Sequence, residues 1–262
     1  MTIGVPVGAW QRDWISRHGG ARDTAVTVRY VQTPSVFGDV RIRGDRPALA
    51  EAASFADLSD DQLRALAKQN GFAGTTTVDG AKATWHHEID FQPSDGGADI
   101  GRIEPAGDGK MFEHALDESY VESWSALGGG EGPFLAVKVV RGDRVDRLLS
   151  VAGDHFVYAR ARATALPAAD SITDAIAATG ATRETIIGFL DCEISYGNTR
   201  GWRIVHSTLP WQEGKRLTFV DRIVIEPNGR LAATEVAAEE AWSFPVNTFA
   251  PAALRALFPA TR

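Results

Sequence analysis

An all-β chain of two similar units in tandem, each closed as a barrel and each carrying one short helix, is what these 262 residues predict. Three observations carry the expectation. Most readable segments alternate apolar and polar side chains with a period of two, as a half-buried strand does. The segments are short, closely spaced, and bounded by Gly, Pro or Asn-Gly turn signals. Features of the first half return in the same order in the second. A sandwich would use the same strand pattern, so closure follows from strand number and the need to remove edges.

The strands begin with TAVTVRYVQT, where Val26, Val28 and Tyr30 oppose Thr27, Arg29 and Val31. In VFGDVRIRGDR, Val40 and Ile42 alternate with Asp39, Arg41 and Arg43, so one face is apolar and the other charged. LSDDQLRALAKQNG then reads as a helix: Ser59 and Gln62 form a capping box, Leu63, Leu66 and Ala67 make one apolar stripe, and Gly71 stands as the C-cap. ATWHHEIDF puts Trp85, His87, Ile89 and Phe91 on one face and His86, Glu88 and Asp90 on the other. The Gly-rich LGGGEGP at 127–133 is the linker, and strands resume in FLAVKVV, DRLLSVAG, HFVYARAR, FLDCEISYG, WRIVHST, LTFVDRIVIEPNGRL and AATEVA. DSITDAIAATG is the second helix, capped by Ser171 and closed by Gly180, with Ile172 and Ile176 inward.

The duplication sets DVRIR against VYARAR, EIDF against EISY, IEPAGDGKM against IEPNGRL and ESW against EAW, with a capped helix after the first motif of each half. The units are therefore expected over 1–127 and 133–262.

The net charge of −7, without clustered Lys and Arg, argues against nucleic acid or an anionic membrane as partner. The one cysteine, Cys192, allows no internal disulfide and reads as apolar packing between Leu190 and Ile194. The first twenty residues lack a basic start followed by an apolar run, and no apolar run is long enough to span a bilayer. A cytoplasmic protein is expected. There is no phosphate loop around GGGEG, no Gly-x-Ser-x-Gly elbow, and no His or Cys spacing that would hold zinc, so neither a cofactor nor a metal is expected.

GAWQRDWI, VQTPSVFGDVRI, HHEIDFQP and YVESW together resemble a fungal casein-kinase-interacting protein family and its bacterial homologues, with Arg43 where that pattern has Pro. The likeness is looser in DCEISYG and STLPWQEG of the second half. It implies tandem lipocalin-like barrels, in agreement with the duplication, and a kinase-binding or other protein partner; it implies no settled activity.

Three constellations carry chemistry. Arg41 and Arg43, two apart on a strand, present guanidiniums that can hold a carboxylate or phosphate; the bland reading is pairing with Asp39 and Asp45. Glu88, Asp90 and His86 on one face form an acid–base set, against the bland reading of a buried ion-paired network. Tyr30, Trp85, Trp124 and His87 can line an apolar pocket or simply fill a core. The leading expectation is binding of a small hydrophobic molecule with an acidic or phenolic group in the first barrel. A cofactor-independent lyase, isomerase or hydratase using Glu88, Asp90 and His86 is the alternative, and an interaction scaffold the third.

Overall fold

The computed structural model describes residues 6–49, 51–94 and 97–258. Eight antiparallel strands, each paired to its neighbour in sequence, form the first unit: β1 (Gly8–Arg17), β2 (Val26–Gln32), β3 (Val36–Arg43), β4 (Asn70–Asp79), β5 (Lys82–Asp90), β6 (Asp99–Gly107), β7 (Lys110–Ala115) and β8 (Tyr120–Ala126). β8 pairs back with β1, Arg12 opposite Trp124, and the ring is closed. This is the up-and-down barrel of lipocalin-like proteins.

The second unit repeats the order with β9 (Phe134–Arg141), β10 (Arg144–Ala152), β11 (His155–Arg160), β12 (Glu193–Asn198), β13 (Arg203–Ser207), β14 (Ile223–Ile225), β15 (Leu231–Ala233) and β16 (Glu240–Asn247). Here the expected closed ring is not reached among the described residues. A six-stranded sheet runs β13-β12-β11-β10-β9-β16, and β14-β15 form a separate ribbon. The chain after β13 enters a 3-10 turn at Thr218–Arg222 instead of a long strand. Strand for strand, DVRIR in β3 matches VYARAR in β11, IEPAGDGKM in β6–β7 matches IEPNGRL in β14–β15, and ESW in β8 matches EAW in β16. EIDF and EISY do not correspond, because EIDF ends β5 whereas EISY lies in β12, which takes the place of β4.

Four α-helices are present among the described residues rather than one per unit: α1 (Asp60–Leu66), α2 (Ile172–Thr179), α3 (Arg183–Leu190) and α4 (Pro251–Leu257). Ser59 and Gln62 cap α1 as expected, but the helix ends at Leu66 and Gly71 lies in β4. A Cβ on Gly71 would stand 2.9 Å from the Asp39 carbonyl and 3.2 Å from Ile194 Cβ, so the glycine permits close approach of strands and units rather than capping a helix. α2 is capped by Ser171 and closed by Gly180 in the left-handed conformation, as its sequence predicts. The segment 127–133 is no free tether: the Gly153 and Asp154 amides donate to the Pro133 and Gly129 carbonyls, fastening it to the β10–β11 turn.

The outer faces of β2, β3, β4 and β5 pack on β10, β11 and β12, with β3 at the centre, and α1–α3 cover one end of that contact. Val36, Val40, Ile42, Leu63, Leu66, Leu148, Val157, Ile172, Phe189 and Ile194 make one continuous apolar core there. Cys192 is buried in it, and burial pushes its thiol up to about 11, as packing rather than nucleophilic duty requires. The inside of the second unit is filled by Val137, Leu149, Phe156, Phe219, Leu254 of α4 and Phe258 just beyond that helix.

Candidate functional site

Alternation along the first barrel sends one face of every strand inward, and the inward residues sort by height. At the end reached by the start of β2, β4, β6 and β8 stand the charged ones, with Val28 and Phe72 among them; the other end is mainly aromatic. The floor holds Trp10, Tyr30, Phe37, Trp85, Met111 and Trp124. Its polar tips are mostly matched: Trp85 Nε1–H donates to the Tyr30 hydroxyl at 3.0 Å, Tyr30 donates to Gln32, and Trp10 Nε1–H donates to the Pro6 carbonyl at 2.9 Å. Burial, first, and nearby carboxylates push the Tyr30 phenol above its ordinary range, so it stays a neutral donor.

Above the floor lies a paired network. Asp39, 2% exposed, accepts from Arg41 Nε at 2.9 Å and Nη2 at 3.3 Å. The Arg41 guanidinium sits 4.7 Å over the Phe72 ring, on which the His87 ring also stacks at 4.2 Å. Arg12 donates to Glu122 at 2.5 Å, and Tyr120 donates to Glu113 at 2.9 Å. Glu113 and Glu122 are direct cross-strand partners. Burial, then the charges of Glu122 and Asp99, push Glu113 up to about 8, so it is protonated at neutral pH. His87 lies between two carboxylates, Nδ1 2.7 Å from Asp90 and Nε2 3.2 Å from Asp99. Burial opposes its charge, but these two partners prevail and raise it to about 9.

The space enclosed by Tyr30, Asp39, Arg41, Phe72, Trp85 and Trp124 leaves about 20 Å³ for solvent, room for about one water. Phe72 and Asp99 also border an outer recess of about 500 Å³ at the mouth, with His87, Asp90 and Pro93. One polar group of the interior has no partner: Trp124 Nε1–H is buried and makes no hydrogen bond among the described residues. Its counterpart in the second unit, Trp242, donates to Glu240 at 3.1 Å.

The charged face of VFGDVRIRGDR is thus divided. Asp39 and Arg41 look into the barrel, while Arg43 stands at the rim, exposed and bound to Asp45 at 2.7 Å. Arg43 therefore leaves the site. The acid–base set is dispersed as well. A β-bulge where Ala73 pairs with Ile89 and Gly74 with His87 puts Glu88 out of register and reverses the faces beyond it. His86 contacts the Thr77 hydroxyl at 2.9 Å on an exposed face, Glu88 accepts from Lys138 of the second unit at 2.6 Å, and only Asp90 reaches the mouth. Ile89 and Phe91 fall accordingly into the core between the units, apart from Trp85. Tyr30, Trp85, Trp124, His87 and Arg41 do converge; Arg12, Asp99, Glu113 and Glu122 join them unforeseen.

Among the inward groups, Glu113 and His87 hold a proton more tightly folded than unfolded within the pH range that a urea series covers. Glu113 does so between pH about 4.5 and 8, and His87 between about 6.5 and 9. In both cases the folded state binds the extra proton, so stability falls as pH rises through these windows. His87's contribution is complete below 6.5 and gone above 9. Urea unfolding at intervals from pH 6 to 10 is expected to show a downward slope steepest near 6.5–8, where both act, and Glu113→Gln should flatten its part. A flat profile would contradict the assignment.

No family model and no curated protein matches the chain. Among solved structures, it is similar to a lipocalin-like protein from Bacteroides uniformis ATCC 8492, at 13% identity and a TM-score of 0.31 over 46% of this chain and 97% of the other. It is also similar to an uncharacterized protein from Bacteroides eggerthii DSM 20697, at 12% identity and a TM-score of 0.32 over 47% of this chain and 100% of the other. Likeness at these scores bears no weight, and the lipocalin-like architecture rests on the strand pairing itself. Among the described residues no helix is long and apolar enough to cross a membrane, and no group of His, Cys, Asp and Glu is placed to hold a metal ion.

Proposed function

We propose that the first barrel binds a small, largely apolar molecule through its mouth, a phenol in chemical class, with the hydroxyl directed to the inner space and the ring over Phe72 and His87. The observation that carries this is the buried, unpartnered Trp124 Nε1–H in a space also lined by Asp39 and Arg41. Leaving a buried donor unmade costs about 1–3 kcal/mol. A hydroxyl oxygen accepts from that indole while its proton goes to a carboxylate. A carboxylate ligand suits the place less well, because acids outnumber bases around it and already hold Glu113 protonated. The inner space is small, so the ligand's body belongs in the outer recess.

Thermal-shift and fluorescence titrations with a panel of simple phenols test this reading. Trp124→Phe keeps an aromatic, though smaller, side chain and removes the donor; affinity should fall about tenfold, the equivalent of ~1.4 kcal/mol. Unchanged affinity, or a panel without binders, would sink the proposal. The second result favours an interaction scaffold, the reading that the nearly filled interior supports. No reaction is proposed from Glu88, Asp90 and His86, which point to different places.

A further inference from the structure

The second arginine of VYARAR has an environment unlike that of Arg12 and Arg41 in the first barrel. Arg162 is 8% exposed, and its guanidinium donates only to main-chain carbonyls: Nε to Phe189 at 2.8 Å, Nη1 to Asp90 at 2.9 Å, and Nη2 to Phe91. No carboxylate pairs with it among the described residues, whereas Arg12 has Glu122, Arg41 has Asp39 and Arg160 has Asp191. A buried charge without a counter-ion is costly. A guanidinium has five N–H groups, so two remain beyond the three carbonyl bonds.

Arg162 opens on a cleft of about 760 Å³ between the units. Arg144, at the start of β10, lines the same cleft and makes no ion pair among the described residues. Burial, first, draws the Arg162 guanidinium below its ordinary range against the opposing pull of Cys192, Asp90 and Asp191, and the nearby Arg144 adds to the lowering, so the two positive charges share one electrostatic neighbourhood. Three carboxylates border the cleft: Glu88 accepts from Lys138 at 2.6 Å through Oε1 while its buried Oε2 makes no hydrogen bond among the described residues, and Asp90 pairs with His87 at 2.7 Å. Asp170 is exposed at its edge. The walls between the charges are apolar, from Ile89, Ala161, Leu166 and Pro167.

We propose that this cleft is a second ligand site, separate from the barrel mouth, which takes a small organic acid: the carboxylate rests on Arg162 and Arg144, and an apolar body lies along Leu166 and Pro167. Two guanidiniums match a planar carboxylate, and the apolar walls select against a bare inorganic anion.

Calorimetric titration of the full chain with benzoate, acetate and inorganic phosphate, at low and at moderate salt, tests it. Benzoate should bind at least tenfold more tightly than acetate or phosphate and keep measurable affinity at moderate salt. Arg144→Gln, an exposed position, should weaken benzoate at least tenfold with an unchanged melting temperature. Trp124→Phe should leave benzoate affinity as it was, which separates this site from the barrel. Arg162→Lys should weaken binding as well, and circular dichroism will show whether that variant retains the fold. Absence of benzoate binding, equal and salt-abolished binding of all three anions, or indifference to Arg144→Gln would each overturn the proposal.

Discussion

Gly38→Ala should lower the melting temperature by roughly 5–10 °C, the equivalent of about 2–3 kcal/mol for a chain of this size. Gly38 sits midway along the outward face of β3, between Val36 and Val40 in the core that joins the units. A Cβ there would lie 2.4 Å from Val157 Cγ1 and 2.7 Å from Val157 Cβ. Val157 belongs to β11 and is 1% exposed. A rotamer change moves Cγ1 but not Cβ, so relief requires the strands themselves to separate. That would open packing along the whole contact, which is why one methyl group has so large an expected effect. Val157→Gly in the same chain should recover part of the loss. Calorimetric melting of the two single variants and the double variant measures the coupling directly. A Gly38→Ala protein that melts with the parent would mean the units do not pack as described.

The fold was largely legible because a period-two pattern reports which faces are buried, and both faces of β3 are. One face of VFGDVRIRGDR enters the barrel and the other enters the core between the units, and alternation records the two without saying which is which. The helix ends were less legible. Gly71 looks like a C-cap because the residues before it are good helix formers, yet the contact with Ile194, distant in sequence, dictates its place. α4 escaped notice for a related reason: AALRAL is short and its apolar residues acquire meaning only once they plug the second unit.

The site was legible in part, and the bulge explains the division. Alternation predicts faces only while pairing stays regular, and in β5 it is interrupted between His87 and Ile89. The sequence does carry a trace of this in Gly74, where a Cβ would stand 1.9 Å from the His86 carbonyl, so the backbone crosses too closely for any side chain. Glu113 and Glu122 sit two residues from Met111 and Trp124, so an inward reading of those residues would have placed both acids inside. What pattern cannot supply is the pairing: nothing in HHEIDFQP says that His87 turns to Asp99 across the neighbouring strand.

The second unit turns on Glu240, and replacing it should cost about 2–4 kcal/mol, reduced from the usual price of a broken buried pair because its partners retain some solvent. Its side chain is 2% exposed and accepts from Arg222 at 2.6 Å, Arg141 at 2.9 Å, Arg147 at 3.1 Å and Trp242 Nε1 at 3.1 Å. These donors come from four segments: the 3-10 turn before β14, β9, β10 and β16 itself. β15 and β16 share no ladder, so the Arg222–Glu240 contact fastens the β14–β15 ribbon to the sheet where backbone hydrogen bonds do not. Without the carboxylate, three guanidiniums face one another, with Asp146 and Glu239 left among the described residues to offset them. Burial alone would raise the Glu240 carboxyl, but the hydrogen bonds from Arg222, Trp242 and Arg141 outweigh it and hold it at about 2, against 4.5 ordinarily. A depressed carboxyl stabilises fully above the unfolded value, and that contribution is lost as pH falls from about 4.5 towards 2. Urea unfolding of Glu240→Gln should therefore show the full deficit at pH 7, with the gap to the parent narrowing across that acid window. A deficit that persists undiminished at pH 2 would mean that packing, not charge, is what Glu240 supplies.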